Sequence, residues 1–453
     1  MRTVTVAAPP SKSLSHRNLI AAALATGLSR LEHVLESDDS ARTMDCLTTL
    51  GARFERLAPG LYSVLGTGGR IGAPGNAPLS LFVGESGTTC RLITALVAAG
   101  SGSFHIHGAG RMHLRPIGEL TRCLEELGAA VTFLESPDCP PLVLEANSLD
   151  ASALPECTAT IGCDESSQYL SGLLLAAPLT PQGLRIRLEG RKAVSWPYVS
   201  LTLDTLEACG IEFFVEFFEE NNWHKADWRG IQQATPGRLR FTVSPGQYLA
   251  GQRAVEGDYS GASYFLAAGA IGPDSVRVLG LKRDSLQADA AVLPLLERMG
   301  ATVSWDDKGV TVSPGTLRGI KADMGQCPDI VPTMAAVAAR AAGPSLFYNA
   351  AHLAAKESNR LEAPARELRK AGCRVDVLPD GLRIEPREAG LVPLPSGEIF
   401  SAHNDHRMAM SLALLELAGP KGDGITVALD NWRCVAKSFP DFWEKWHTVT
   451  GKD

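Results

Sequence analysis

The 453 residues are 45% hydrophobic and 21% charged, an ordinary globular balance, and exceed the size at which one core stops growing, so two or more domains are expected. A net charge of −7 argues against nucleic acid as a partner and leaves any anionic ligand to local Arg and Lys. No run reaches the roughly 18 apolar residues of a membrane span, MRTVTVAAPPSKS lacks the basic and apolar regions of a secretory signal, and the ten cysteines show no CxxC or zinc spacing, so a cytoplasmic protein with reduced thiols is expected.

In chain order, PPSKSLSHRN places Lys12, Ser13 and Arg17 in a Ser-rich loop and the first turns of an Ala/Leu-rich helix. The GxxxxGK[ST] pattern is absent, which rejects a nucleotide P-loop. DCLTTLGARFE follows: an amphipathic helix, Gly51 as its left-handed C-terminal residue, then an alternating strand. GESGTTCR starts another helix with Gly87, Thr88 and Arg91; Gly permits close backbone approach and Thr88 reads as a cap. His105 and His107 alternate on a strand and pack there. GAGRMHLRPIGEL sets Arg111 and Arg115 near Pro116, and Arg115 is the better ligand candidate because proline stiffens the backbone beside it. DESSQYL supplies Ser166, Ser167 and Gln168, readable as an N-cap or as neutral donors to a phosphate ester.

The Gly-ended phrase returns at Gly128, Gly210, Gly300 and Gly372, at spacings of 77, 82, 90 and 72 residues. Such a recurrence is too long for a solenoid unit and predicts an α/β module of about 75 residues repeated six times. The longest spacing holds FEENNWHKADWRGIQQATPGR, a surface loop or hairpin.

The second half carries more charge. Asp329 in CPDIVPTM is either an N-cap or a carboxylate that orients or deprotonates a substrate hydroxyl. KESNRLEAPARELRKAG predicts a helix with Lys356 and Arg360 on one face and Glu357 beside them, readable also as a solvated salt-bridge helix. In SAHNDHRMAMSL, Asp405, His406 and Arg407 precede an apolar run; a cation there opposes the helix dipole, so Arg407 is either solvated or shares the site with an anion. Lys437 in WRCVAKSFPDF falls between a strand-like stretch and a Pro turn, and the HxxH of His403 and His406 lacks a third ligand, so no metal is expected. Six nearly apolar helices, each with a polar start, lie between the Gly-ended ones. Eight cations (Lys12, Arg17, Arg91, Arg115, Lys356, Arg360, Arg407, Lys437) sit at element junctions, and only a polyanionic substrate pair would stabilise their convergence.

SKSLSHR, GTTCR, RPIGEL, SSQYLSGLLLAAPL, EGDYSGASYFLAAGAI, KESNRL, NDHRMAMSLAL and AKSFPDF resemble, in order and over nearly the whole chain, the motifs of the 5-enolpyruvylshikimate-3-phosphate synthase family. The resemblance implies a two-domain enolpyruvyl transferase-like α/β fold, an inside-out barrel in which each domain has three βαβαββ repeats with pseudo-threefold symmetry. The N-terminal lobe would be residues 11–255, on the shikimate 3-phosphate side. The C-terminal lobe would be 1–10 with 256–453, on the phosphoenolpyruvate side, with a hinge near 10–12 and 255. The implied reaction transfers the enolpyruvyl group of phosphoenolpyruvate to the 5-hydroxyl of shikimate 3-phosphate, through a tetrahedral intermediate, with release of phosphate. Lys12, Ser13, Arg17, Ser166, Ser167, Gln168, Ser195, Tyr198, Asp329 and Lys356 would bind shikimate 3-phosphate. Lys12, Gly87, Arg91, Arg115, Gln168, Arg360, Arg407 and Lys437 would hold phosphoenolpyruvate. Asp329 would accept the 5-hydroxyl proton and Glu357 would protonate C3, with Lys12 and Lys437 completing the catalytic set. No cofactor, metal, nucleic acid or membrane is implied, a monomer is expected, and Gly87 leaves room for glyphosate.

The sequence departs from the family pattern at Pro10, Glu85, Leu92, His352, Ala354 and Asn359, none of them a proposed catalytic group. The enolpyruvyl transferase that uses UDP-N-acetylglucosamine is the nearest alternative, and a catalytically silent ligand-binding relative the next. The first usually has a reactive loop cysteine, and the second would not need Lys12, Asp329, Glu357 and Lys437.

Overall fold

The structure, a computed structural model, describes residues 2–75, 77–417 and 424–451. The chain forms two compact units, one of residues 12–255 and one of residues 1–11 with 256–453. Strand β1 (Thr3–Ala7) belongs to the second unit.

The 12–255 unit contains three modules in succession. The first is α1 (Lys12–Leu24), β2 (Leu28–Glu32), α2 (Asp38–Thr49), β3 (Arg53–Ala58) and β4 (Leu61–Leu65). The second is β5 (Leu79–Gly84), α3 (Gly87–Ala98), β6 (Ser101–Gly108), α4 (Gly118–Glu126), β7 (Ala130–Phe133) and β8 (Leu142–Asn147). The third is β9 (Thr158–Cys163), α5 (Gln168–Ala176), β10 (Leu184–Ala193), α6 (Trp196–Ala208), β11 (Phe213–Glu219), β12 (Asn222–Ala226) and β13 (Leu239–Val243). The unit closes with β14 (Gln252–Ala254), which pairs parallel with β2 and so completes the first module from the other end of the sequence.

The second unit continues with α7 (Tyr259–Ile271), β15 (Ser275–Leu279), α8 (Val292–Met299), β16 (Thr302–Trp305) and β17 (Gly309–Ser313). Next come β18 (Lys321–Asp323), α9 (Val331–Ala338), β19 (Ser345–Tyr348), α10 (Glu362–Lys370), β20 (Arg374–Leu378) and β21 (Gly381–Glu385), then α11 (His406–Ala413) and α12 (Phe442–Thr450). Strand β1 pairs parallel with β15, as β14 does with β2, and its alternating burial seats Val4 and Val6 opposite Val276 and Val278.

All five sheets share one pairing sequence, a parallel pair followed by antiparallel partners: β14-β2-β4-β3, β5-β6-β8-β7, β9-β10-β13-β11-β12, β1-β15-β17-β16 and β18-β19-β21-β20. A parallel pair needs a crossover, and the apolar helices α3, α5 and α9 supply it for β5–β6, β9–β10 and β18–β19. The amphipathic helix of each module ends at Gly51, Gly128, Gly210, Gly300 or Gly372, all with positive φ, where a side chain would strain the turn. The sixth copy departs: among the described residues it consists of α11, two short 3-10 segments, a parallel bridge between Phe400 and Leu429, and α12. Ala418 and Gly419 of its apolar run lie outside the described residues. The polar insert forms the β11–β12 hairpin, with Phe218 opposite Trp223.

Helices α1, α3, α5, α7, α9 and α11 are buried nearly all round, as their lack of a polar face requires. Phe265 on α7 packs against Phe439, Phe442 and Trp446, which anchors the C-terminal helix and the short 3-10 segment before it.

Candidate active site

In the 12–255 unit, the starts of the apolar helices are tied together by arginines. Arg17 on α1 is almost fully buried; its Nε donates to Thr202 Oγ1 (2.8 Å), Nη1 to the Ser13 carbonyl (2.9 Å), and Nη2 to the Tyr198 carbonyl (2.7 Å) and Ser171 Oγ (3.4 Å). One N–H on Nη1 remains uncommitted to the protein. Burial lowers this guanidinium to about 10, against the opposing influence of Tyr198. Arg91 on α3 donates from Nη1 to Gln168 Oε1 and from Nη2 to the Pro116 carbonyl, both at 3.0 Å, and lies over the Tyr169 ring at 5.6 Å. Its Nε is buried with no hydrogen-bond partner.

Gly87, the first residue of α3, has a direct steric role. A Cβ there would stand 2.4 Å from Arg115 Nη2 and 2.6 Å from Arg91 Nη1. Two buried guanidiniums therefore meet over one helix N-terminus, where the dipole adds to their charge. Arg115 is buried and donates to the Glu85 carbonyl at 3.1 Å, whereas Arg111 is exposed. Glu85 is exposed and its side chain lies against Gly110. Lys12, the first residue of α1, pairs with Asp39 Oδ2 at 2.5 Å. Ser166 Oγ accepts from the Gln168 amide, and Gln168 Nε2 donates to Thr88 Oγ1 at 2.9 Å. Ser195 precedes α6 in the left-handed region, at φ 56.

In the second unit, Arg360 is the centre. Its Nη1 donates to Asp329 Oδ1 (2.9 Å), its Nη2 to Glu357 Oε2 (2.7 Å), and its Nε and Nη2 to the two oxygens of Asp405 (2.7 and 3.1 Å). Asp405 also caps α11, accepting from the Arg407 amide at 3.0 Å, and takes a hydrogen bond from Ser358 Oγ. Arg407 extends back to Asp329 Oδ2 and to Ser260 Oγ on α7, both at 2.9 Å. Burial disfavours the Asp329 carboxylate, but Arg407, Lys356 and Arg360 outweigh it and hold the group well below the usual carboxylate range. Burial likewise opposes the Arg360 charge, while Asp405, Glu357 and Asp329 keep that guanidinium firmly protonated. Lys437 is buried at the end of the 3-10 segment Trp432–Lys437.

Several local expectations are corrected. Lys356 and Arg360 do not share a helix face: residues 356–361 form bends and turns, and α10 begins at Glu362. Asn359 Oδ1 accepts from the Leu361 and Glu362 amides and so fixes that start. The cap of α3 is Ser86, not Thr88, and Asp329 is no cap, since its oxygens go to the two arginines. Lys437 has a 3-10 segment before it in place of a strand. Arg407 pairs in this structure with the carboxylate of Asp329. Asp405 was visible in the sequence only as a member of a charged triplet; its N-cap position ahead of an apolar run was the available signal. Among the described residues no group of three or more His, Cys, Asp or Glu is arranged to hold a metal ion, and no helix is long and apolar enough to cross a membrane.

The repeated parallel–antiparallel modules in two units are those of the two-domain enolpyruvyl transferase fold. Solved structures agree on the fold: the EPSP synthase of Acinetobacter baumannii superposes with a TM-score of 0.73 at 24% identity, covering 98% of this chain and 94% of its own. The enolpyruvyl transferase NikO of Streptomyces tendae gives 0.70 at 19% identity, covering 100% of this chain and 95% of its own. The family model for EPSP synthase (3-phosphoshikimate 1-carboxyvinyltransferase) matches residues 3–446. The 3-phosphoshikimate 1-carboxyvinyltransferase of Nitrosomonas europaea is 37% identical over 448 residues, 98% of this chain and 95% of that protein. Its counterpart in Yersinia pseudotuberculosis is 39% identical over 442 residues, 97% and 95% respectively. The chain belongs to the EPSP synthase family.

Proposed function

We propose that this protein transfers the enolpyruvyl group of phosphoenolpyruvate to the 5-hydroxyl of shikimate 3-phosphate and releases inorganic phosphate. Family membership supports the reaction, and one observation carries the assignment of roles: the carboxylates Asp329 and Glu357 sit on the same guanidinium, Arg360. Addition–elimination needs one group to take the hydroxyl proton and another to protonate C3, and paired carboxylates in unequal surroundings can divide those duties. In the proposed sequence the 5-oxygen bonds to C2 while its proton passes to Asp329 and Glu357 protonates C3. The tetrahedral intermediate then loses a C3 proton, the C2–O bond to phosphate breaks, and the enol ether forms.

Ser13, Ser166, Ser167, Ser195, Tyr198 and Lys356 would hold shikimate 3-phosphate, with Arg17 mainly framing Ser13 and Tyr198. Gly87, Arg91, Arg115, Gln168, Arg360, Arg407, Lys12 and Lys437 would hold phosphoenolpyruvate. A depressed Asp329 is a poor base, so its role depends on substrate anions drawing Arg360 and Arg407 away from it. We place the protein in the cytoplasm as a monomer, inhibited by glyphosate in competition with phosphoenolpyruvate.

The test is a phosphate-release assay with phosphoenolpyruvate and either shikimate 3-phosphate or UDP-N-acetylglucosamine. Release with the first pair alone is expected. Release only with the sugar nucleotide, or with neither, would refute the reading.

A further inference from the structure

Asp289 lies in the 3-10 turn Ala288–Ala291 that leads into α8, and it is buried. Ser260, in the first turn of α7, donates its hydroxyl hydrogen to Asp289 Oδ2 and accepts from Arg407 Nη1. Arg407 Nη2 donates in turn to Asp329 Oδ2. A chain of contacts thus runs from Asp289 through Ser260 and Arg407 to Asp329, joining the starts of α7, α8 and α11 to the turn before α9. Asp289 Oδ1 is buried with no hydrogen-bond partner, an arrangement that costs stability and calls for an explanation.

We propose that Asp289, acting through the Ser260 hydroxyl, is a positioning residue that pins Arg407 Nη1 and leaves Nη2 as the donor that changes partner, from Asp329 to an anionic oxygen of phosphoenolpyruvate. The inference rests on the reading of Arg407 given above. A guanidinium is planar and rigid, so fixing one terminal nitrogen sets the direction of the other. When the substrate takes Nη2, Asp329 loses a cation and its proton affinity rises toward that of a useful base. Substrate binding and activation of the base then become one event.

The surroundings give Asp289 a second property. Burial pushes its carboxyl up to about 7, the negative charge of Asp329 adds to this, and Arg407 and the Ser260 hydroxyl oppose it. The groups facing it are Asp258, which caps α7, and Ser260 in its first turn, Cys327 and Asp329 from the segment before α9, and Arg407 from α11. A neutral Asp289 still accepts from Ser260 through its carbonyl oxygen. Once ionised, it adds a negative charge beside an anion site, so phosphoenolpyruvate affinity falls as pH rises.

Steady-state kinetics on the full-length enzyme test this, with both substrates varied from about pH 6 to about pH 8. Asp289→Ala and Ser260→Ala should each raise the KM for phosphoenolpyruvate on the order of tenfold and leave that for shikimate 3-phosphate unchanged. The double variant should be no worse than either single one. Asp289→Asn, nearly isosteric with the neutral acid, should match the wild type at the acid end. It should lack the wild-type rise in KM above about pH 7. The titration of phosphoenolpyruvate itself is common to both and cancels in the ratio. Parallel profiles for Asp289→Asn and wild type, or equal effects of Ser260→Ala on both substrates, would overturn the proposal. If Asp289→Ala does not fold, Asp289→Asn and Ser260→Ala decide it. A wild type that neither turns over nor binds phosphoenolpyruvate overturns the functional reading and this inference together; an active wild type with parallel profiles overturns only the inference.

Discussion

The two units hold the buried arginines of their candidate sites by different means. In the 12–255 unit, Arg17 and Arg91 are gripped by neutral acceptors: carbonyls of Ser13, Tyr198 and Pro116, hydroxyls of Thr202 and Ser171, and the amide oxygen of Gln168. In the other unit, Arg360 is paired with the carboxylates of Asp329, Glu357 and Asp405, and Arg407 with that of Asp329. A neutral acceptor orients a guanidinium without cancelling its charge, so the field remains for an incoming anion. A carboxylate cancels the charge, so an anion must compete, and the displaced carboxylate changes its proton affinity. The first arrangement suits binding; the second suits acid–base chemistry triggered by binding. Lys12, paired with Asp39, departs from Arg17 and Arg91 in this respect.

The largest expected effect comes from removing the central cation. Arg360→Met leaves Asp329, Glu357 and Asp405 without their shared partner in a buried setting, at a cost of about 3–5 kcal/mol of stability. Arg91→Met, also at a buried position but facing neutral oxygens, should cost only about 1–2 kcal/mol. Urea denaturation of the two variants checks the contrast, and equal losses would erase it.

A middle effect concerns binding without stability. Alanine at Gly87 would put its Cβ against Arg115 Nη2 and Arg91 Nη1, the far ends of flexible side chains, so the fold gives way and the anion site does not survive intact. Gly87→Ala should raise the KM for phosphoenolpyruvate on the order of 10–100-fold, with little change in the denaturation midpoint. An unchanged KM would show that neither guanidinium contributes to substrate affinity.

The contrast between the units was only half legible in the sequence. Glycine-ended helices and apolar helices are local patterns, set by a 3.6-residue period and one left-handed residue, and they emerge at Gly51, Gly128 and α5 as the sequence predicts. The segment around Lys356 misled because charge spacing outweighed a breaker. A helix running from Lys356 would carry Pro364 in its interior, whereas starting at Glu362 places that proline in the first turn, where its missing N–H is harmless. The pairing of Arg360 with Asp405 joins residues 45 apart, and that of Arg407 with Asp329 joins residues 78 apart. No local period encodes such pairs. Asp289 carried no signal at all, because an acid before an apolar helix reads as an ordinary helix start.

The smallest effect sharpens the comparison through pH. His16, buried beside Thr43 in the 12–255 unit, is lowered to about 3 by burial and then by Lys12. An unfolded chain binds a proton at His16 near the ordinary value of 6.5 and the folded one does not, so stability is full above that pH and falls as pH drops toward about 3. Asp289 in the other unit is raised to about 7, by burial and then by Asp329. There the folded state keeps the proton, so stability is full below the ordinary carboxylate value and is lost as pH rises through about 7. Between about pH 4 and about pH 6.5 the two groups give slopes of opposite sign, each at most about 1.4 kcal/mol per pH unit. His16→Asn should flatten the acid-side loss, and Asp289→Asn the loss on the neutral side. Hydrogen exchange resolved by unit would separate them, and slopes of the same sign in both units would refute the assignment.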